Sequence, residues 1–181
     1  MSRKGQIQLI IGPMFSGKTT ELIRRLKRYK VAKYECLIIK YALDVRYEEV
    51  DSLTTHDRQT LSAVSTVELM PLKTDAQNYD VIGIDEGQFF PDIADFAEEM
   101  ANSGKTVIIA GLNGTYKRRG FNNILKLVPL SEDIIKLSAI CMNCLKEEAS
   151  YTKRIVKETD LEMIGGLEKY KAMCRKCFFI E

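Results

Sequence analysis

Five short, nearly unbroken apolar runs narrow the folds open to this 181-residue chain: QIQLIIG (6–12), ECLIIKY (35–41), DVIGID (80–85), TVIIAGL (106–112) and DIIKLSAI (133–140). A strand with one wet face alternates apolar and polar side chains, whereas a strand covered on both faces need not. Runs this short, each followed by turn chemistry or a helical pattern, fit a parallel sheet with helices on both sides. Between the first two runs, TTELIRRLKRYKVAKY places Leu22, Leu26 and Tyr29 on one helical face. Arg24, Arg25, Lys27, Arg28 and Lys30 fall mostly elsewhere and read as a solvated face. A second helix is expected in DIADFAEEMANSG, opened by Pro91 and Asp92, with Ile93, Phe96, Ala97 and Met100 inward and Gly104 as its stop. Residues 42–78 show no clear period; they hold the single histidine, His56, to which no role is given.

This length suits one domain, or one domain with a small appendage. With 45% hydrophobic and 29% charged residues the composition is that of a soluble globular protein, and a net charge of +2 is too small to argue for a nucleic-acid or membrane surface. The N-terminal apolar run is short and leads straight into a glycine loop, unlike a signal peptide, and no stretch approaches the roughly 18 apolar residues of a membrane span. A cytoplasmic setting is the expectation.

The first apolar run ends at Gly12 and restarts as a helix after GPMFSGKT, a fit to G-x-x-x-x-G-K-[ST] through Gly12, Gly17, Lys18 and Thr19. In such a loop the glycines let successive N–H groups point at phosphate oxygens, and the helix start adds its positive end. Lys18 would reach the β and γ phosphates and the Thr19 hydroxyl would coordinate Mg²⁺. A phosphate loop needs an acidic partner at another strand end, and DVIGIDEGQFF supplies Asp85 and Glu86. Asp85 would act on the Mg²⁺ shell while Glu86 orients and deprotonates an attacking hydroxyl or water; the plainer alternative is that the two cap a turn. Phe89 and Phe90 follow the acids, and Tyr116 and Phe121 lie in GLNGTYKRRGF beyond another strand end. Such rings suit the faces of a nucleobase, although all four can equally be core; adjacency to the carboxylates favours Phe89 for the pocket.

Four of the five cysteines form two C-x-x-C pairs, Cys141 with Cys144 and Cys174 with Cys177, with 29 residues between them. Four thiolates at this spacing predict a closed, structural Zn²⁺ site of the zinc-ribbon type that fixes both ends of the intervening segment. Cys36, inside the second run, reads as a small core residue. The fold expected is therefore α/β, a P-loop NTPase-like parallel sheet flanked by helices over 1–140, with a small C-terminal zinc-ribbon or lasso domain over 141–181.

Taken in order, GPMFSGKTTEL, YALDVRY, VIGIDEGQFFPDI, GLNGTYKRRGF and CMNC…YTKR…MIGGLEKY…CRKC resemble the type II, cytosolic-type thymidine kinase family from about residue 5 to 178. The resemblance implies ATP- and Mg²⁺-dependent phosphorylation of the thymidine 5′ hydroxyl to dTMP, with Glu86 as base. It implies contacts to ATP from Gly12, Pro13, Met14, Phe15, Ser16, Gly17, Lys18 and Thr19, from Asp44 and Arg46, and from Asp85 and Gln88, with Thr19 and Asp85 at the Mg²⁺. Met14, Phe89, Leu112, Tyr116 and Phe121 match walls of the thymidine pocket; Thr152, Met163, Ile164, Gly165 and Tyr170 match its lid. A homotetramer and inhibition by dTTP are further implications. Asn113, Tyr116 and Gly120 depart from the aspartate, phenylalanine and proline common in relatives, which bears on the pocket rim. Two other readings stay open on residues alone: a P-loop ATPase or nucleoside kinase with a different acceptor, and a nucleic-acid-binding protein using the cysteine module and the basic stretch from Arg24 to Lys33.

Overall fold

A computed structural model describes residues 4–43, 63–156 and 166–180. In chain order the main unit comprises β1 (Gln6–Gly12), α1 (Lys18–Val31), β2 (Cys36–Tyr41), β3 (Ala63–Thr66), α2 (Lys73–Ala76), β4 (Val81–Ile84), α3 (Ile93–Asn102), β5 (Thr106–Leu112), α4 (Asn122–Leu125) and β6 (Asp133–Lys136). The six strands form one sheet in the order β3-β2-β4-β5-β1-β6, all pairs parallel.

Each central strand is buried on both faces, the environment its apolar run anticipates. Ile10, Ile38, Val81, Ile108 and Ala110 meet Leu22 and Leu26 of α1 on one side. Ile7, Leu9, Ile39, Ile82, Ile84, Val107 and Ile109 meet Ile93, Phe96, Ala97 and Met100 of α3 on the other, joined by Ile124. The four inward residues expected of α3 are all fully buried, and the chain leaves that helix through Gly104 at φ 85°. Asp92 does not cap α3 with its side chain; its Oδ2 instead accepts from the Leu69 and Met70 N–H groups, 2.8 and 2.7 Å away, pinning the segment before α2.

Two polar residues in β1 and one cation in α1 explain each other. The Gln6 and Gln8 amides donate to the Tyr29 hydroxyl, at 3.4 and 3.2 Å. Arg25 Nη1 reaches Gln8 Oε1 at 2.8 Å and Asp133 Oδ2 at 2.6 Å, while Nε binds Glu21 at 2.9 Å. Arg25 is therefore not part of a solvated basic face: it ties α1 to the two strands beneath it.

The structure corrects one strand expectation and adds one strand where no period is legible. The run 133–140 is not one strand: β6 ends at Lys136, and Ala139–Ile140 forms β7, which pairs antiparallel with β8 (Glu148–Ala149) outside the main sheet. Within the unread stretch 42–78, β3 adds an edge strand to β2; AVST is too short and too exposed to carry an apolar signature. Beyond β8, β9 (Tyr151–Arg154) and β10 (Tyr170–Met173) pair antiparallel and lead into α5 (Arg175–Phe178). Ala139, Cys141, Ala149, Ala172, Met173, Cys174 and Cys177 make a separate small core here.

Because β5 lies between β1 and β4, with Gly12 level with Leu112 and Ile84 with Ile109, the carboxyl ends of the three strands share one edge. Ligands of open parallel sheets bind at such an edge.

Candidate active site

The loop after β1 turns through two left-handed residues, Phe15 at φ 64° and Gly17 at φ 80°. Gly17 is also the N-cap of α1 and offers no side chain to the first-turn N–H groups. That leaves the amide end of a 14-residue helix open toward the loop, the arrangement that attracts phosphate oxygens. Lys18 Nζ and Ser16 Oγ both donate to the Pro13 carbonyl, each at 2.8 Å, so the ammonium lies across the loop it would open to receive an anion.

Asp85 stands just past β4, 8% exposed, facing the start of α1. Its Oδ1 accepts from Thr19 Oγ1 at 3.2 Å and from the Glu86 N–H at 3.0 Å. Burial, then the neighbouring Glu86 charge, pushes its carboxyl up to about 6 against the opposing pull of Thr19, the Glu86 N–H and Lys18. A carboxylate and a hydroxyl oxygen this close are a hard-oxygen donor pair of the kind Mg²⁺ selects, and a cation there would relieve the cost of burying the charge. Glu86 itself sits at φ 53°, a left-handed conformation that costs an L-residue about 1–2 kcal/mol and that collects at functional sites. Gln88, 2% exposed, donates from Nε2 to Glu86 Oε2 at 2.5 Å and accepts at Oε1 from the Leu112 N–H at 2.9 Å.

The aromatic residues separate by depth. Phe90 is fully buried core. Phe89 is half-buried and stacks on Tyr41 at 5.0 Å between centroids. Phe121 packs against the main core. Tyr116 lies under the Arg154 guanidinium, 3.9 Å from its ring centroid. Arg154 also donates to the Tyr170 hydroxyl at 2.8 Å. On the same face of β9, Thr152 Oγ1 accepts from the Met14 N–H at 3.0 Å, tying this strand to the phosphate loop across 138 residues of sequence.

The four cysteine sulfurs lie within 4.8 Å of one another. Tetrahedral Zn–S bonds of about 2.3 Å put sulfurs roughly 3.8 Å apart, so the donor set and its spacing fit zinc with little movement. Burial acts to raise the Cys141 thiol, but the backbone N–H groups of Cys174, Cys144 and Asn143 outweigh it and bring it down to about 6. Such oriented amides favour thiolate at Cys141, whereas at Cys174 the pull of the Cys177 N–H is outweighed by burial and the neighbouring thiols of Cys177, Cys141 and Cys144, which push the thiol up to about 11.

A family model described as thymidine kinase matches residues 5–178. This chain belongs to the thymidine kinase family. It is 57% identical over 176 residues to the cytosolic thymidine kinase of Bos taurus, covering 97% of this chain and 73% of the relative. It is 56% identical to the thymidine kinase of Sheeppox virus, covering 98% of both, and 55% identical to the cytosolic thymidine kinase of Homo sapiens, covering 97% and 74%. Among solved structures, the flagellar accessory protein FlaH from Methanocaldococcus jannaschii superposes with a TM-score of 0.55 at 13% identity, over 87% of this chain and 75% of that one. That likeness concerns the fold alone.

In this thymidine kinase family member the phosphate loop, Asp85, Glu86, Gln88, Phe89, Leu112 and Tyr116 gather at the carboxyl edge of the sheet, with Thr152 and Tyr170 brought over it by β9 and β10. Asp44, Arg46, Met163, Ile164 and Gly165, like His56, lie outside the described residues. Two contributors were not singled out from sequence. Arg154 shares the period-two face of Thr152 in YTKR, a legible signal, whereas Tyr41 at the end of β2 gains its role only by meeting Phe89 across the sheet edge.

Proposed function

We propose that this protein transfers the γ-phosphate of ATP to the 5′ hydroxyl of thymidine, giving dTMP. The observation that carries the reading is the Thr19–Asp85 contact, which brings the phosphate loop and the acidic strand end together with Glu86 as the next residue. Loop amides from Gly12 to Gly17, with Lys18, hold the donor phosphates, and Asp44 and Arg46 complete that side; Gln88, whose amide is taken up by Glu86 and the Leu112 N–H, works through Glu86 and not on ATP. Thr19 and Asp85 hold Mg²⁺, which supplies neutralisation of the charge on the transferring group. Glu86 accepts the proton of the acceptor hydroxyl. Met14, Phe89, Leu112, Tyr116 and Phe121 line the nucleoside pocket, and Thr152, Met163, Ile164, Gly165 and Tyr170 cover it and keep water from the phosphoryl group.

The division of labour follows the chain: 1–140 binds the donor, and 141–181, fixed by Zn²⁺ on Cys141, Cys144, Cys174 and Cys177, carries the cover. A cytoplasmic homotetramer restrained by dTTP in the acceptor pocket completes the proposal. Names of relatives at 55–57% identity support the substrate class. Incubation with γ-labelled ATP, Mg²⁺ and each deoxynucleoside separately should label thymidine, and Glu86→Gln should bind both substrates while turnover falls roughly 10²- to 10⁴-fold. Label on another nucleoside only, or near-normal turnover of the variant, would refute the assignment.

A further inference from the structure

Gln88 occupies an unusual position for a polar side chain. It is 2% exposed, yet no element of secondary structure requires an amide there. Both ends of its side chain are engaged inside the protein. The Leu112 N–H donates to Oε1 at 2.9 Å, which decides which end of the amide is oxygen, because a backbone N–H needs an acceptor. The NH₂ end is thereby turned to Glu86, whose Oε2 it meets at 2.5 Å. Gly111 provides the space: a Cβ there would lie 3.2 Å from the Gln88 oxygen and 2.7 Å from Ile124 Cδ1. The Gln88 main chain is held as well, its carbonyl accepting from Asn123 Nδ2 at 3.4 Å.

The ladder between β4 and β5 ends at the pair Ile84 and Ile109. The Gln88 bridge continues the tie beyond it, from Leu112 at the end of β5 to Glu86 just past β4. The backbone around Glu86 is fixed by other means, its N–H donating to Asp85 and its carbonyl accepting from the Phe89 N–H at 3.1 Å. Those bonds leave the side-chain torsions unset. A carboxylate whose one oxygen is held by a rigid donor has its plane and reach set before substrate arrives, and an error of about 1 Å in such a group costs on the order of 10²-fold in rate.

We infer that Gln88 is a positioning residue for phosphoryl transfer: locked by the Leu112 N–H, its amide holds one Glu86 oxygen and aims the carboxylate at the acceptor hydroxyl. This rests on the reading of Glu86 as the base. Its work is done through Glu86, so its loss should matter only while Glu86 can act.

The test is a double-mutant cycle on the full chain with zinc bound, using steady-state kinetics with thymidine and MgATP. Gln88→Met keeps the shape of the side chain and removes the donor. It should lower kcat roughly ten- to hundredfold with both KM values within about twofold. In a Glu86→Gln background the same change should alter the residual kcat by less than about twofold. Gln88→Met also takes the acceptor from the Leu112 N–H, so kcat is referred to the sites that bind thymidine in calorimetry, which keeps a partial folding defect from counting as lost turnover. An equal fall in both backgrounds, or a rise in KM with kcat unchanged, would overturn the positioning role and leave Glu86 as base intact. Near-normal turnover of Glu86→Gln alone would remove the base, and the inference with it, so the two failures are distinguishable.

Discussion

Asp85 shows how much a single buried group can be asked to carry. Its carboxyl titrates at about 6 in the fold and at 3.8 when free, so on raising the pH the unfolded chain releases this proton first. The metal-free fold is therefore unaffected by Asp85 below about pH 3.8 and loses stability as the pH climbs through 6, by about 2–3 kcal/mol at the plateau. Asp85→Asn keeps the shape and an acceptor for Thr19 and cannot ionise. Urea unfolding without Mg²⁺ should thus find the variant more stable than the parent by about that amount at pH 8, with the gap closing toward pH 4. A gap of the same size at both pH values would show that charge burial is not its cause. The residue identities at this site were legible because short spacing rules govern them: a loop of fixed length, a lysine, a hydroxyl, and two acids at a strand end. What Gln88 and Arg154 touch was not, because Leu112 reaches Gln88 from β5 and Tyr170 reaches Arg154 from β10.

At the scale of elements, the β9–β10 ribbon is tied to the main sheet by buried polar contacts. Thr152 takes the Met14 N–H and Arg154 sits on Tyr116, so one face of a four-residue strand meets both the loop after β1 and the loop after β5. Thr152→Val retains the branched shape and leaves a buried N–H without its acceptor. It should lower the unfolding free energy by about 1–3 kcal/mol, and Thr152→Ser should recover most of the loss. Equal stability of all three by urea titration would mean that the strand does not seat on the loop in solution. The α3 helix offers the apolar counterpart: Phe96 is fully buried between helix and sheet, and Phe96→Ala should cost about 3–5 kcal/mol by the same measurement. Helical and continuous-apolar patterns announced α1, α3 and the four central strands. The edge strand β3 and the division of the 133–140 run went unannounced, since an edge needs little apolar surface and a break in pairing depends on the partner rather than on the run itself.

The whole molecule couples a rigid sheet to a small unit whose own core is few in residues and mostly alanine, cysteine and methionine. So little apolar surface does not order a segment unaided, and the metal that four close sulfurs invite would supply the remainder. The protein should carry one zinc per chain by elemental analysis. Removing it with a chelator, or replacing Cys141 by Ser, should weaken thymidine binding in calorimetry before it weakens ATP binding, because the donor loop stands on β1 and α1. Unimpaired thymidine affinity in the metal-free protein would separate the cluster from the cover. By itself the sequence determined the parallel α/β class, the phosphate loop, the acidic strand end, the cysteine tetrad and the family, all of which depend on residue types at short or regular spacing. Strand order, the junction of β9 with the phosphate loop, and the Gln88 bridge between two strand ends were decided only in three dimensions. These contacts join residues 24 to 138 positions apart, and such partners are chosen by how the elements pack rather than by any period along the chain.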